Sequence, residues 1–170
     1  DVDYAREKGL HVINTPAASS ASVAELVFAH LYGGVRYLFD ANRQMPLEGD
    51  TKFKILKKNY AGGSELRGKT MGVIGFGRIG QETAKIALGI GMNVVAHDPF
   101  MDKAKVKVIL GNGAQVEVTI EMNSFESVLK KGDFISLHVP AQDKPIIGHK
   151  EISMMRKGAG LINAARGGVI

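Results

Sequence analysis

The stretch that decides the fold is TMGVIGFGRIGQETAKIALGIGMNVVAHD, residues 70–98. An apolar run at 71–74 leads directly into the motif GFGRIG at 75–80, and an amphipathic stretch follows it. A second apolar run at 93–97 ends in Asp98, about 20 residues beyond the motif, as a ribose-binding acid does in dinucleotide-binding folds. This order predicts a strand, a glycine turn, a helix and a second strand, which together form the repeating unit of a parallel sheet.

Each small or acidic residue of this unit has a physical role in binding a dinucleotide. Gly75 permits a tight turn, Gly77 lets backbone N–H groups approach a pyrophosphate, and Gly80 lets the helix pack close to the strand. The first N–H groups of that helix and its dipole favour an anion. Asp98 would accept hydrogen bonds from the adenosine ribose and repel a 2′-phosphate, so the sequence predicts NAD rather than NADP. The alternative is a glycine turn with a structural role only.

Alternating strands and helices continue to the last residue. We predict short helices at 103–110 and 124–132, a strand at 133–140, a helix at 149–158 and a strand at 159–163. The lysines at 103, 105 and 107 would then lie on the solvated face of the first of these helices. The pattern predicts a doubly wound α/β fold with a parallel sheet, a Rossmann core spanning 68–170.

The first 44 residues are predicted to be a lead-in strand at 1–16, whose core is GLHVINTP, followed by a long helix at 17–44. Ser22 and Glu25 have the spacing of a capping box near the start of this helix. Gly33 and Gly34 would weaken an isolated helix, so we interpret them as a place where another backbone packs closely. His30 lies on the apolar face and is interpreted as a core or interface residue.

Composition and charge narrow the class of protein. The 170 residues include no cysteine and carry a net charge of +5, and seven basic against three acidic residues at 43–69 supply +4 of it. We interpret 43–69 as a solvated, mobile connection, with a basic rim for an anionic substrate as the alternative. No apolar run reaches the roughly 18–20 residues of a membrane span, and the basic residues lack the interleaved aromatics of a nucleic-acid surface. We predict a cytoplasmic protein with no metal site, no membrane span and no nucleic-acid partner.

The chain resembles the nucleotide-binding part of the D-isomer-specific 2-hydroxyacid dehydrogenases, and within that family most resembles the phosphoglycerate dehydrogenases. The stretches that carry the resemblance are VDYAREKGLHVINTPAASSASVAEL, ELRGKTMGVIGFGRIGQETA, GMNVVAHDPF, DFISLHVP and MMRKGAGLINAARGGVI. The glycine motif is common to many NAD enzymes. LHVP followed by INAARGG is much more specific.

The resemblance implies roles for particular positions. Arg78 and Ile79 would lie at the pyrophosphate, and Asp98 at the adenosine ribose. Val139 and Pro140 would flank the adenine side of the cofactor. The positions beside the nicotinamide would be Ala164, Ala165 and Arg166. In such enzymes the arginine holds the carboxylate and carbonyl of a small anionic 2-hydroxy or 2-oxo acid, so Arg166 is the predicted catalytic residue.

The resemblance also implies what lies outside these residues. The acid–base histidine of the family and its glutamate partner would follow residue 170, so the chain is expected to be a cofactor-binding fragment that lacks the substrate domain. It would bind NAD and turn over nothing by itself, while its parent would act on a D-2-hydroxy acid, foremost D-3-phosphoglycerate in serine biosynthesis. A glyoxylate, hydroxypyruvate or D-lactate enzyme is the nearest alternative.

Two further classes stay open. One is a non-catalytic, NAD-sensing module of the corepressor type, and the other is a purely structural dimerisation module. The helix at 22–38 resembles the segment through which such domains pair, so a homodimer is expected through it.

Overall fold

The computed structural model describes residues 1–170, which form six helices and six strands. The helices are α1 (Val2–Glu7), α2 (Ser20–Val35), α3 (Leu38–Tyr60), α4 (Arg78–Gly89), α5 (Phe125–Lys131) and α6 (His149–Met154). The strands are β1 (Thr70–Ile74), β2 (Asn93–His97), β3 (Lys103–Ile109), β4 (Gln115–Glu121), β5 (Phe134–Leu137) and β6 (Gly160–Asn163). None of the helices combines the length and the apolarity that crossing a bilayer requires.

Four strands form a parallel sheet in the order β2-β1-β5-β6. β1 pairs with β2 on one side and with β5 on the other, and β5 pairs with β6. The chain therefore runs outward from β1 to β2 and later returns to the opposite side of β1. This reversal places a topological switch point between β1 and β5, and it confirms the predicted doubly wound α/β fold.

The two faces of the sheet bury separate apolar cores. Met71 and Val73 of β1 point to the face covered by α2, α4 and the strands β3 and β4. Ile74 points to the other face, where Val128 and Leu129 of α5 pack. Full burial of such side chains contributes about 1.5–3 kcal/mol each, so helices on both faces are needed to hold the sheet.

The helix predicted at 103–110 is wrong, because β3 and β4 form an antiparallel hairpin there. Val106 is buried while Lys105 and Lys107 on either side of it are exposed, which is the two-residue period of a strand. A turn with Gly113 at φ +83° joins the strands. The alternating valines and the GNG turn were the signal for this hairpin. The lysines are solvated as expected, but on a strand.

The single helix predicted at 17–44 is also wrong, because it breaks into α2 and α3. Tyr37 adopts φ 54°, a left-handed conformation that is uncommon outside glycine. The carbonyl of Val35 at the end of α2 instead accepts a hydrogen bond from the Ser64 N–H, at 3.0 Å. The helix thus ends just after the weakening pair Gly33–Gly34, and a partner that is distant in sequence takes up one of its last carbonyls.

Two other predictions for the first third of the chain need correction. The lead-in strand predicted at 1–16 is absent, because Val2–Glu7 form α1 and the exposed stretch 9–16 has no neighbouring strand with which to pair. The connection predicted at 43–69 is largely helical, since α3 extends to Tyr60. Its solvation is as expected, because Leu56 is the one buried residue of α3.

Candidate functional site

The polar and glycine-rich loops of the chain meet at one edge of the sheet. The loops that follow β1, β2, β5 and β6 begin at Gly75, Asp98, His138 and Ala164. Because the four strands are parallel, all four loops leave the carboxyl edge, where open α/β sheets bind their ligands.

Gly75 and Gly80 are required by packing within the chain. Gly75 has φ +86°, and a Cβ built there would lie 2.5 Å from the His138 carbonyl oxygen. A Cβ at Gly80 would lie 2.2 Å from the carbonyl oxygen of Gly75. The turn, the start of α4 and the end of β5 therefore lie too close together to leave room for a side chain at Gly75 or Gly80.

Gly77 differs, because a Cβ at this position would meet no atom within 4 Å. Its backbone is extended, with φ −68°, and any residue could adopt that angle. Packing within the chain therefore does not require a glycine here. A small residue is explained if a ligand lies against Gly77, as the pyrophosphate role predicts.

The amino end of α4 is suited to an anion. No side chain caps it, and its first turn contains no acidic residue. The first helical hydrogen bond runs from the Gln81 N–H to the Gly77 carbonyl at 2.9 Å, so the amides of Arg78, Ile79 and Gly80 have no acceptor in the helix. Arg78 adds an exposed cation at the positive end of the helix dipole, where an anionic group is favoured. These residues fit the pyrophosphate of a dinucleotide.

Asp98 at the end of β2 faces the glycine loop. Its Oδ2 accepts the Phe76 N–H at 2.8 Å, and its Oδ1 accepts the Phe100 N–H at 2.9 Å. Each carboxylate oxygen keeps a further lone pair, so the group is still able to accept ribose hydroxyls. The acid predicted to bind ribose therefore also holds the loop that would bind the pyrophosphate.

The loop after β5 lies against the glycine loop. Val139 Cγ1 would lie 3.2 Å from a Cβ at Gly75, so it is next to the turn, while Pro140 is exposed beyond it. The structure thus brings Val139, one of the two predicted adenine-side residues, next to the glycine loop, and Pro140 follows it in the chain.

His138 links α4 to β5 next to the glycine loop. Its Nε2 lies 3.1 Å from Thr83 Oγ1 in α4 and 3.0 Å from Ser136 Oγ in β5. Burial lowers the pKa of His138 from 6.5 to about 4, so the ring is neutral at physiological pH. Its other ring nitrogen is buried without a hydrogen-bond partner. Nothing in the sequence around His138 indicates its two hydroxyl partners, because Thr83 is distant in the chain.

The loop after β6 carries the predicted catalytic arginine. The Asn163 side chain accepts the Ala165 N–H at 3.1 Å and donates to the Arg166 carbonyl at 2.8 Å, so the backbone is held. The Arg166 side chain is exposed, and its guanidinium donates only to the Ala165 carbonyl, at 2.8 Å. Ala164 and Ala165 are half-buried. The guanidinium is therefore free of any carboxylate of the chain and available to an anionic ligand.

The side chains of the remaining histidines make no contact with the glycine loop or with Arg166. The His97 ring packs edge-on against Phe125 at a centroid distance of 5.6 Å, and its Nδ1 lies 2.9 Å from the Asn123 carbonyl oxygen. His11 and His30 are exposed in the first third of the chain, and His149 begins α6. No histidine is therefore set beside Arg166 as an acid–base partner.

Comparison with known proteins agrees with this geometry. The sequence model of the D-isomer-specific 2-hydroxyacid dehydrogenase NAD-binding domain matches residues 28–170. The chain is 41% identical to hydroxypyruvate reductase of Thermotoga maritima, and the match covers the whole chain and 50% of that protein. It is 42% identical to D-3-phosphoglycerate dehydrogenase of Methanocaldococcus jannaschii, and the match covers the whole chain and 30% of that protein. The chain thus spans half or less of the length of these relatives.

Solved structures show the same likeness. The apo-structure of D-lactate dehydrogenase from Escherichia coli superposes with a TM-score of 0.76 at 28% identity, covering the whole chain and 49% of that structure. D-lactate dehydrogenase from Aquifex aeolicus, complexed with NAD and lactic acid, superposes with a TM-score of 0.70 at 32% identity, covering the whole chain and 47% of that structure.

Proposed function

Since this chain belongs to the D-isomer-specific 2-hydroxyacid dehydrogenase family and matches its NAD-binding domain, we propose that its parent protein oxidises D-3-phosphoglycerate. The coarser conclusion, an NAD-dependent oxidoreductase of 2-hydroxy acids, is the property of the family. The finer one is supported by relatives such as the Methanocaldococcus D-3-phosphoglycerate dehydrogenase, which is 42% identical over the whole chain.

The observation that carries the proposal is the exposed Arg166 guanidinium on the same sheet edge as the dinucleotide loop. A guanidinium presents paired N–H donors that match the two oxygens of a carboxylate. Arg166 would orient the acid so that its C2 hydrogen faces the cofactor. When bound beside this loop, the nicotinamide of NAD would supply the acceptor for the C2 hydride. The hydroxyl proton requires a base, and residues 1–170 place none beside Arg166.

We propose that the isolated chain binds NADH and has no dehydrogenase activity. Loss of an acid–base group lowers the rate by about 10²–10⁴-fold, and loss of substrate orientation lowers it further. Titration with NADH, followed by nicotinamide fluorescence, tests the binding. Saturable binding of NADH that is stronger than that of NADPH is the expected result. No binding at all would leave the glycine loop as a turn with a structural role only.

The substrate is tested on the full-length parent. NADH formation would be followed with D-3-phosphoglycerate, and NADH consumption with hydroxypyruvate and glyoxylate. A kcat/KM highest for D-3-phosphoglycerate is expected. A preference for hydroxypyruvate or glyoxylate would favour the second candidate, to which the Thermotoga relative points. Absence of turnover with every acid, alongside NADH-dependent assembly, would favour the corepressor-type module.

We propose a homodimer through α2. Leu26 and Tyr32 of α2 are 49% and 44% exposed, although both are large apolar or aromatic side chains. Gly33 and Gly34 border an open groove of about 600 Å³, and a Cβ at either would meet no atom of the chain within 4 Å. The close backbone contact expected at this glycine pair is therefore absent within one chain, and a second chain would supply it.

Sedimentation of the wild-type chain and of Gly34→Arg tests the dimer. The open groove accommodates the new side chain in one subunit, so the variant should fold and sediment as a monomer. A wild-type monomer, or a dimer unchanged by the substitution, would contradict the proposed interface. A dimer that binds no NADH would favour the dimerisation module.

A further inference from the structure

Phe76 at the centre of the glycine motif is held from three directions. Its ring is completely buried, in the core beneath α2 and α4. Its N–H donates to Asp98 Oδ2 at 2.8 Å. Its carbonyl accepts a hydrogen bond from Gln81 Nε2 at 3.1 Å. A loop residue with both backbone groups and its side chain engaged has little freedom to rotate.

The Gln81 contact has a directional consequence for the next residue. The peptide that joins Phe76 to Gly77 is planar and trans, so its N–H points opposite to its carbonyl. Because the carbonyl points to Gln81, the Gly77 N–H points away from Gln81. This N–H donates to no acceptor within the chain. It thus points to the exposed side of the loop, where Gly77 leaves space for a ligand.

We propose that Gln81 is a positioning residue for the pyrophosphate of the cofactor. It fixes the Phe76–Gly77 peptide so that the Gly77 N–H is aimed at the anion before the ligand arrives. Gln81 itself lies one turn into α4 and donates to the loop rather than to the ligand. Asp98 holds the other side of the same residue, so the two side chains act as a pair.

The inference rests on the NADH binding proposed above, and the ligand set separates the two. Gln81→Met keeps the length of the side chain and removes the donor. Each ligand is titrated against the isolated chain: NADH, ADP-ribose and adenosine. The first two contain a pyrophosphate, and adenosine does not. One hydrogen bond corresponds to about a 2- to 10-fold change in an equilibrium constant. We expect Gln81→Met to lower the affinities for NADH and ADP-ribose by the same factor, within this range, and to leave the affinity for adenosine unchanged.

Gln115→Met is the matched control, because Gln115 is an exposed residue of the β3–β4 hairpin. It should leave all three affinities unchanged. Equal affinities of wild type and Gln81→Met for ADP-ribose would overturn the inference. An equal loss of adenosine affinity would also overturn it, because that result would indicate a general loosening of the loops at this edge of the sheet. Failure of the wild-type chain to bind NADH would instead overturn the proposed function, and the inference with it.

A second measurement needs no variant. In the wild-type chain, the amide resonance of Gly77 should shift on addition of ADP-ribose and stay in place on addition of adenosine. Rapid exchange of this amide in the free chain should give way to protection in the complex. An unmoved resonance at saturating ADP-ribose would show that the Gly77 N–H is not a donor to the pyrophosphate.

Discussion

Two loops leave the same edge of the sheet, and they are held in different ways. The glycine loop, residues 75–80, is packed into the fold: Phe76 is buried, and Gly80 has no room for a Cβ. In the arginine loop, residues 163–168, a Cβ at Gly167 or Gly168 would meet no atom within 4 Å. The first loop is held by packing and hydrogen bonds within the chain. In the second loop only the backbone is held, and the Arg166 side chain is exposed.

This difference follows from what each loop presents. Backbone amides cannot be re-aimed without moving the chain, so a loop that binds through amides must be built in its binding conformation. The Arg166 side chain is long and rotates about several bonds, so its backbone alone needs to be placed. The comparison teaches that the loop proposed to bind the cofactor is built by contacts within these residues, whereas the proposed contact to the substrate is a single exposed guanidinium.

The largest test of the comparison is Gly80→Ala. The new Cβ would overlap the Gly75 carbonyl oxygen, which is backbone and cannot rotate away. We expect the free energy of unfolding to fall by about 3 kcal/mol, measured by urea denaturation. Gly167→Ala is the counterpart in the arginine loop and should cost less than about 0.5 kcal/mol. Equal losses at the two positions would abolish the distinction between the loops.

The second test uses pH to probe the support beneath the glycine loop. The pKa of His138 is lowered to about 4 in the folded state, against 6.5 when unfolded. Between these values the unfolded chain binds more protons, so stability falls as the pH falls from 6.5 to 4. The His138 contribution to this loss is on the order of 2–3 kcal/mol.

Urea denaturation of wild type and of His138→Gln at several pH values measures this contribution as a difference. The variant is expected to be less stable at neutral pH and to show a shallower dependence below pH ~6.5, the ordinary histidine pKa. Identical slopes for the two proteins would mean that His138 is not held neutral by the fold.

A third test separates packing from ligand contact inside the glycine loop. Gly77→Ala should leave the free energy of unfolding unchanged within about 0.5 kcal/mol, because its Cβ enters open space. The same methyl group would occupy the space in which we propose that the pyrophosphate binds. We expect a loss of NADH affinity of about 10-fold or more, which corresponds to about 1.4 kcal/mol. Unchanged affinity would mean that the ligand does not approach Gly77.

The smallest effect is expected at Arg166→Gln in the isolated chain. The side chain is exposed and contacts only the Ala165 carbonyl, so stability should change by less than about 0.5 kcal/mol. NADH affinity should stay within about 3-fold of wild type, since the expected change is smaller than the contribution of one hydrogen bond. A large loss of stability or of NADH affinity would show that Arg166 also supports the proposed cofactor-binding region. The contrast between the two loops would then be weaker.

The sequence predicted the sheet and the glycine loop because their requirements are local. An apolar run before Gly75 and an acid at the end of the next strand leave few other arrangements. The misses arose where distant residues decide local structure. The carbonyl of Val35 at the end of α2 accepts a hydrogen bond from the Ser64 N–H, and no pattern near Val35 indicates this distant partner.

The supporting residues of the site were also missed. Gln81, Thr83 and Ser136 are ordinary polar residues in a helix and a strand, and only the fold brings them to the glycine loop or to His138. Their roles depend on distances across the sheet edge. The hairpin is a different case, because its alternating pattern was present in the sequence and was interpreted with the wrong period.

The β3–β4 hairpin has a consequence for how the chain folds. Its strands are adjacent in sequence, so they can pair within microseconds, whereas β1 meets β5 only after the whole of residues 75–133 has been brought together. Because Val106 and Ile120 pack into the same core as α4, an early hairpin would offer that helix an apolar surface before the sheet exists. The β3–β4 hairpin would then provide a surface on which the β1–α4–β2 unit assembles.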